Sequence, residues 1–164
     1  MGQKVKPTGF RTGIMLDWQS HWYASKQDFS ELLVEDFKIR KYIKKRYGGS
    51  GISKMRIERT REKVVVYIFS ARVGMIIGKK GAEVDKLTKE LENLCHRHIE
   101  IKTMEVSRPE TDPQLVAEDI AEQLQKRASF RRTMKRAIDQ TMEAGARGVK
   151  IQMSGRLGDR KSVV

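Results

Sequence analysis

The stretch RVGMIIGKKGAEVDKL, residues 72–87, sets Gly78 and Gly81 around the adjacent Lys79 and Lys80, directly before an apolar-periodic run. A loop of this composition can cradle the phosphates of a nucleotide about to be cleaved, or grip the backbone of a nucleic acid that stays intact. The first use needs G-x-x-x-x-G-K-[ST]. Here Gly74 and Gly78 enclose only three residues, and Lys80 stands where the magnesium-binding hydroxyl is required, so spacing and chemistry fail together. The dinucleotide pattern G-x-G-x-x-G fails as well, because Ile76 occupies the position of its second glycine. What remains is IIGKKGAEV. Its two glycines let the backbone approach a sugar-phosphate chain without Cβ clashes. The two lysines add full charges, and the helix that follows offers N–H groups and a partial positive end. That chemistry holds a nucleic-acid backbone and does not cut it.

A second constellation lies in KRASFRRTMKRAID. At helical period Arg131, Arg132, Lys135 and Arg136, with Asp139, share the face opposite Phe130, Met134 and Ile138. Four cations on one stripe repel one another unless a polyanion lies against them. Lys126 and Arg127 extend the patch. A third group, Lys4, Lys6 and Arg11, sits in MGQKVKPTGFRTGIML, which holds three glycines and Pro7 and shows no periodicity. The whole chain carries 34 Lys+Arg against 21 Asp+Glu, a formal net charge of +13, which favours a polyanionic partner through counterion release. An anionic membrane is the rival. No apolar run approaches the roughly 20 residues that span a bilayer, and no secretory signal is legible. MGQKVK lacks the Ser or Thr of a myristoylation site. The apolar face of the basic helix is Met- and Ala-rich without tryptophan, which suits a core better than a membrane surface. A soluble nucleic-acid binder is expected, with no membrane partner.

Cys95, His96 and His98 in CHRHIE raise a metal site, but no second cluster supplies further ligands and His21 is far off in sequence. A buried Cys95 with surface histidines is the expectation, with no metal and no cofactor. Cys95 stands alone, so no intrachain disulfide is possible, in keeping with a reducing compartment. Ser154-Gly-Arg is not a nucleophile elbow. No catalytic constellation appears, and no enzyme is expected.

These residues must be positioned by a small number of elements. Asp28-Phe-Ser-Glu31 reads as a capping box opening a helix with Phe29, Leu32, Ile39 and Ile43 at helical spacing, closed at RYGGSG. Lys38, Lys41, Lys44 and Lys45 lie on its far side. ISKMRIER and KVVVYIFSA read as strands, with Met55 and Ile57 on one face, Ile52 out of step, and the charged Arg59–Lys63 as the turn between them. A short helix, the glycine loop, a helix with Val84, Leu87, Leu91 and Leu94 inward, and the strand HIEIKTMEV follow. Trp18, Trp22 and Tyr23 in DWQSHWYAS are expected to anchor the basic arm, with base stacking as the alternative. SRPETDP is the domain boundary. Beyond it Asp112-Pro113 starts a helix with Val116, Ile120 and Leu124 on its apolar side. A second helix presents Phe130, Met134, Ala137, Ile138, Thr141 and Met142 and ends at Gly145, and VKIQMSG alternates as a strand through Val149, Ile151 and Met153.

The I-I-G-x-x-G loop, with a helix and strands before it and a helix and strand after it, resembles the type-two KH arrangement, which clamps a few backbone nucleotides. The predicted fold class is therefore α+β: a type-two KH domain with helices on one face of a small mixed sheet, then an incomplete second α+β domain of two helices and one strand. The boundaries are 1–16 for an extended basic arm, 17–106 for the KH domain, 107–113 for a linker and 114–164 for the second domain.

Five stretches then resemble the bacterial-type small-subunit ribosomal protein S-three family: MGQKVKPTGFRTGI, WQSHWYA, ARVGMIIGKKGAEVDKL, QLQKRASFRRTMKRAI and GARGVKIQMSGRLG. They span residues 1 to 158 in the family's order. The resemblance implies a cytoplasmic protein in the head of the small ribosomal subunit, on ribosomal RNA and beside other head and entrance proteins, and not an isolated homo-oligomer. It implies RNA contacts by Lys4, Lys6, Arg11, Gly78, Lys79, Lys80 and Gly81, with Arg72, Arg127 and Arg156 as further ones. It places Arg131, Arg132, Lys135 and Arg136 at the mRNA entrance, where they help open structured mRNA mechanically. The family continues after SGRLG with further strands, whereas this sequence reads SGRLGDRKSVV, so residues 108–164 are expected to be marginal alone. The alternative function is a free KH-type RNA-binding factor acting in ribosome assembly.

Overall fold

Val64, Val65 and Val66 follow one another with no polar residue between them, and the strand they build lies at the heart of a four-stranded sheet. A computed structural model describes residues 2–61, 63–155 and 157 and divides the chain into two units, meeting between Val106 and Ser107. In the first unit the order is α1 (Pro7–Arg11), β1 (Ser20–His21), α2 (Phe29–Tyr47), β2 (Ile52–Arg59), β3 (Lys63–Ser70), α3 (Val73–Ile77), α4 (Ala82–Cys95) and β4 (His98–Glu105). The strands lie in the order β1-β2-β3-β4. β2 and β3 are antiparallel, as a short turn demands, and β4 returns parallel to β3 after the two helices, as a crossover allows.

One face of this sheet and three of the helices make a single core. Val64, Val66 and Ile68 of β3 and Ile57 and Ile99 of the flanking strands meet Ile39 and Ile43 of α2, Ile76 of α3 and Leu87 and Leu91 of α4. Each such side chain contributes about 1.5–3 kcal/mol by leaving water. Ile52 joins this face although its number is out of step with Met55 and Ile57, because the ladder is irregular between Ile52 and Lys54 and the pleat resets there.

Several sequence expectations are corrected. The arm is not wholly extended: Pro7, with its preset φ, starts the five-residue α1, and Thr12 bridges Leu16. Asp28 makes no side-chain cap. It already has helical φ/ψ, and Ser25 takes over one turn earlier, its carbonyl accepting from the Phe29 N–H at 3.0 Å. Phe29 is exposed, and the buried face of α2 is Asp36, Ile39, Ile43 and Tyr47. In α4, Cys95 is buried as expected, whereas Leu94 is exposed. Arg59 belongs to β2 and has a buried side chain, so it is no part of the turn. β1, a two-residue strand parallel to β2, is too short to carry a periodicity of its own.

In the second unit Asp112 caps α5 (Pro113–Gln125), its Oδ1 accepting from the Gln114 N–H at 2.9 Å and the Leu115 N–H at 3.4 Å. Leu115 and Ile120 are the buried apolar residues of α5, with Val116 and Leu124 half-buried. α6 (Phe130–Glu143) buries Thr133, Ala137 and Thr141. Phe130 and Met134 flank that line half-buried, whereas Ile138 and Met142 fall outside it and are exposed. Gly145, at φ +88°, ends the helix, and the Ala146 N–H donates back to the Thr141 carbonyl at 3.3 Å. Residues 149–153 alternate half-buried and exposed as expected, yet they form no strand, since no ladder partner lies beside them among the described residues.

Candidate nucleic-acid interface

The glycine loop is built from both ends. At its start, Ser70 Oγ donates to the Ser50 carbonyl at 2.8 Å and accepts from the Arg72 N–H at 3.1 Å, while the Arg72 N–H also points to the Ser50 carbonyl at 3.2 Å. Both serines are buried, so the point where the chain leaves β3 is fixed by hydroxyls that hydropathy reading passes over. α3 then spans only five residues, pinned by the fully buried Ile76. Gly78 lies at φ +70°, ψ −172°, a region essentially restricted to glycine, and Gly81 at φ +83°, ψ +1°. Lys80 itself adopts the left-handed conformation at φ +54°, ψ +26°.

Lys79 and Lys80 are exposed on this turn and engage no acidic side chain among the described residues. Arg72, also exposed, stands at the opposite end of α3. Behind the loop α4 is tied to α2. Arg46 pairs with Glu90, whose carboxylate also accepts from Tyr42 Oη at 2.8 Å, and Arg46 lies 3.9 Å from Glu83. Glu83 pairs with Lys86 at 2.9 Å. The hydrogen bond from Lys86 holds the Glu83 carboxyl below its usual range, and those from Arg46 and Tyr42 do the same for Glu90. The Arg46 guanidinium is correspondingly held more firmly in its charged form. Glu83 and Asp85 occupy the first turn of α4 and offset part of the positive helix end expected there.

The arm carries Lys4, Lys6 and Arg11, all exposed, and no residue of α1 is buried. It enters the unit through β1 at one edge of the sheet, whereas the glycine loop follows the interior strand β3, so arm and loop grow from different places in the fold. Of the three aromatics near its root, Trp22 anchors: its ring stands 5.2 Å from that of Phe29, and its Nε1 donates to Asp36 at 2.9 Å. Trp18 and Tyr23 are exposed.

The sheet face away from the helices differs from the loop in charge. Lys54 lies 4.6 Å over the Phe69 ring, and Arg56 and Lys102 lie 5.7 and 5.6 Å from the Tyr67 ring. Arg56 is paired with Asp17 and Glu58, and Lys102 and Lys63 with Glu100, so most of this positive charge is neutralised within the chain.

On α6, Arg131, Arg132, Lys135 and Arg136 are all exposed on the side away from Thr133, Ala137 and Thr141. None forms an ion pair among the described residues, although Arg131 lies 5.7 Å over the Phe130 ring. Arg132, Lys135 and Arg136 line a shallow depression with Asp139, Gln140 and Glu143. Arg127 is exposed in the turn between α5 and α6 at φ +60°, and its neighbour Lys126 is paired with Glu122 at 2.5 Å. Arg156 lies outside the described residues. Among the described residues no three His, Cys, Asp or Glu converge as metal ligands. Cys95 is buried, with its thiol pushed up by that burial, and His98 contacts Glu92 at 2.8 Å on the surface. No described helix is long and apolar enough to cross a membrane.

Two families match this architecture. Residues 38–111 match the KH domain, and residues 120–163 match the C-terminal domain of ribosomal protein S3. Similar proteins include the small ribosomal subunit protein uS3 of Rhodopirellula baltica, 60% identical over 96% of this chain and 69% of that protein. Those of Pelagibacter ubique and Desulforudis audaxviator are 51% and 52% identical, each over 96% of this chain and over 70% and 72% of their own lengths.

Proposed function

The chain belongs to the small ribosomal subunit protein uS3 family, and from that premise we propose that it is held on small-subunit ribosomal RNA in the head by its KH loop and arm while α6 handles incoming mRNA. It is a ribosomal protein with an RNA-binding KH domain, a structural constituent of the small subunit and not an enzyme. In the proposed division of labour, 1–16 is the arm, 17–106 the KH domain, 107–113 the linker and 114–164 the second domain. Lys79 and Lys80 meet RNA phosphates across Gly78 and Gly81, supported by Arg72, and Lys4, Lys6 and Arg11 add contacts from the arm. Arg131, Arg132, Lys135 and Arg136 line the mRNA entrance, with Arg127 and Arg156 as further RNA contacts. The protein works in the cytoplasmic ribosome, next to other head and entrance proteins.

One observation carries the mRNA assignment: four exposed cations share the outer side of α6 without an ion pair among the described residues, while the first unit pairs most cations of its open sheet face. Unpaired cations in a row are costly unless a polyanion joins them. A strand of mRNA drawn along such a row is held through its phosphates, independent of sequence. Reversing the charge of Arg131, Arg132 and Lys135 together is expected to slow unwinding of structured mRNA by reconstituted ribosomes, with subunit incorporation kept. Unwinding at the parent rate would remove the assignment.

A further inference from the structure

The arm has almost nothing of its own to hold it. Residues 2–11 and 13–19 are exposed, Ser20, His21 and Trp22 are only half-buried, and β1 contributes two residues to the sheet. A two-residue ladder at an edge is far too short to be stable unaided. What meets it is a charged side chain in an unexpected place. Asp36, in the middle of α2, is 3% exposed on a face otherwise made of Ile39, Ile43 and Tyr47.

A carboxylate buried this deeply is very costly unless donors reach both oxygens. Oδ1 accepts from Arg59 Nε at 2.8 Å and Nη2 at 2.5 Å, and Arg59 is in turn bonded to Glu35. Oδ2 accepts from Ser20 Oγ at 2.9 Å and Trp22 Nε1 at 2.9 Å. Both donors to Oδ2 thus come from the root of the arm. One helical turn on, Arg40 donates to the Gln19 carbonyl at 2.6 Å, to Ser20 Oγ at 2.9 Å and to the Met55 carbonyl at 2.6 Å. The Ile57 N–H of β2 closes the joint by donating to the Gln19 carbonyl at 3.0 Å.

We infer that Asp36 is the positioning residue of the RNA-binding arm: through Ser20 and Trp22 it latches residues 19–22 onto the sheet edge and so fixes the ground from which Lys4, Lys6 and Arg11 reach RNA. Releasing the root would strip Oδ2 of both donors, so the arm is retained by two hydrogen bonds to a charged acceptor, which are stronger than neutral ones. Because Asp36 is buried and its arm-side partners are neutral donors, salt screens the latch little, while the exposed cations beyond it are screened strongly. A root held in place keeps three cations at high local concentration near one stretch of RNA, where a free arm would spread them through solution. The inference rests on the proposal that the arm contacts RNA.

The test uses the full chain. Removing Asp36 itself risks unfolding, because Arg59 would be left buried without it. The S20A/W22F variant instead removes the two donors from the arm, and with them the Ser20 Oγ acceptor of Arg40, while Arg40 keeps the Gln19 and Met55 carbonyls and an aromatic ring stays against Phe29. Amide exchange at Ile57 reads the latch, and the salt dependence of binding to transcribed small-subunit ribosomal RNA reads the arm's contribution. A second full-length variant, K4S/K6S/R11S, defines binding without arm charge. The expected result is at least ~10-fold faster exchange at Ile57 and a salt slope that falls to that of K4S/K6S/R11S, by about one unit for each phosphate no longer neutralised. Parent-like protection at Ile57, or fast exchange with a parent-like slope, would overturn the latch. A parent-like slope in K4S/K6S/R11S would defeat the arm's role in RNA binding and this inference with it. A fall there that S20A/W22F does not share would defeat the inference alone.

Discussion

Glu83 lies against the α-carbon of Gly78, so that a Cβ at position 78 would stand 2.6 Å from Glu83 Cγ, 2.9 Å from its Cβ and 3.3 Å from its backbone nitrogen. Two of those three atoms belong to the backbone or the root of the side chain and cannot swing aside. The first glycine of the loop is therefore required twice, by its φ/ψ and by the helix packed on it.

Replacing Gly78 by alanine is expected to cost about 1–3 kcal/mol from backbone conformation, with the clash in addition, and to weaken RNA binding by displacing the first turn of α4. Gly81 has nothing within 4 Å of a virtual Cβ. Gly81→Ala should therefore lose only the left-handed penalty of about 1–2 kcal/mol. Urea unfolding of the two variants side by side checks the order; equal losses would mean that Glu83 yields freely.

Lys79 and Lys80 are exposed and engage no acidic side chain among the described residues, so changing both to serine should leave thermal stability within about 0.5 kcal/mol. The same change should reduce the salt slope of RNA binding by about one unit for each phosphate that a lysine neutralises. A filter-binding titration across salt concentrations, with a melting curve alongside, reads both. An unchanged slope would show that the loop cations do not touch phosphate.

Leu91 is fully buried and Leu94 is exposed, although both fit the same apolar period in α4. Leu91→Ala should destabilise the KH unit by about 2–5 kcal/mol, and Leu94→Ala should stay within about 0.5 kcal/mol. Chemical denaturation followed by circular dichroism distinguishes them.

Glu90 is held below the usual carboxylate range by Arg46 and then Tyr42, and Glu92 by the Ile99 N–H and then His98. A depressed folded pKa adds stability that is complete above the unfolded carboxylate value and is lost as pH falls through the folded one. The melting temperature of the KH unit should accordingly decline as pH is lowered from about 4.5, and Glu90→Gln should flatten that decline. Melting curves between neutral pH and acid test this; parallel profiles would contradict it.

Cys95 is buried, and that burial pushes its thiol up, with Glu35 acting in the same direction. Since the thiolate is the reactive form, iodoacetamide at neutral pH should label the folded protein far more slowly than the urea-unfolded chain. Equal labelling rates would place Cys95 at the surface.

Several features written within a few consecutive residues are legible in the sequence, the Asp28 capping box not among them. The Asp112-Pro113 start of α5, the glycine stop at Gly145, the hydrophobic strand around Val65 and the glycine-bracketed lysines all rest on local backbone chemistry. Faces of helices are legible only in part. Period 3.6 marks an apolar stripe but leaves open which edge of it is covered, and so Leu94, Ile138 and Met142 read as inward while Leu115 and Thr133 do not. VKIQMSG shows the corresponding limit for strands: alternation in residues 149–153 describes a strand's faces, but a strand exists only where a second one supplies its hydrogen bonds.

By itself the sequence determined that the protein is a cationic KH-type RNA binder without nucleotide-cleaving chemistry, because glycine conformation, charge and motif spacing are properties of neighbouring residues. Its matching stretches also disclosed the ribosomal family. The tertiary structure alone decided how the functional parts are held. Asp36 and Arg59 are 23 residues apart, Asp36 and Ser20 are 16 apart, and Ser50 and Ser70 are 20 apart. Each would read as an ordinary surface residue in isolation. Their roles come from burial, which makes an unsatisfied polar group costly and gives distant residues a reason to meet.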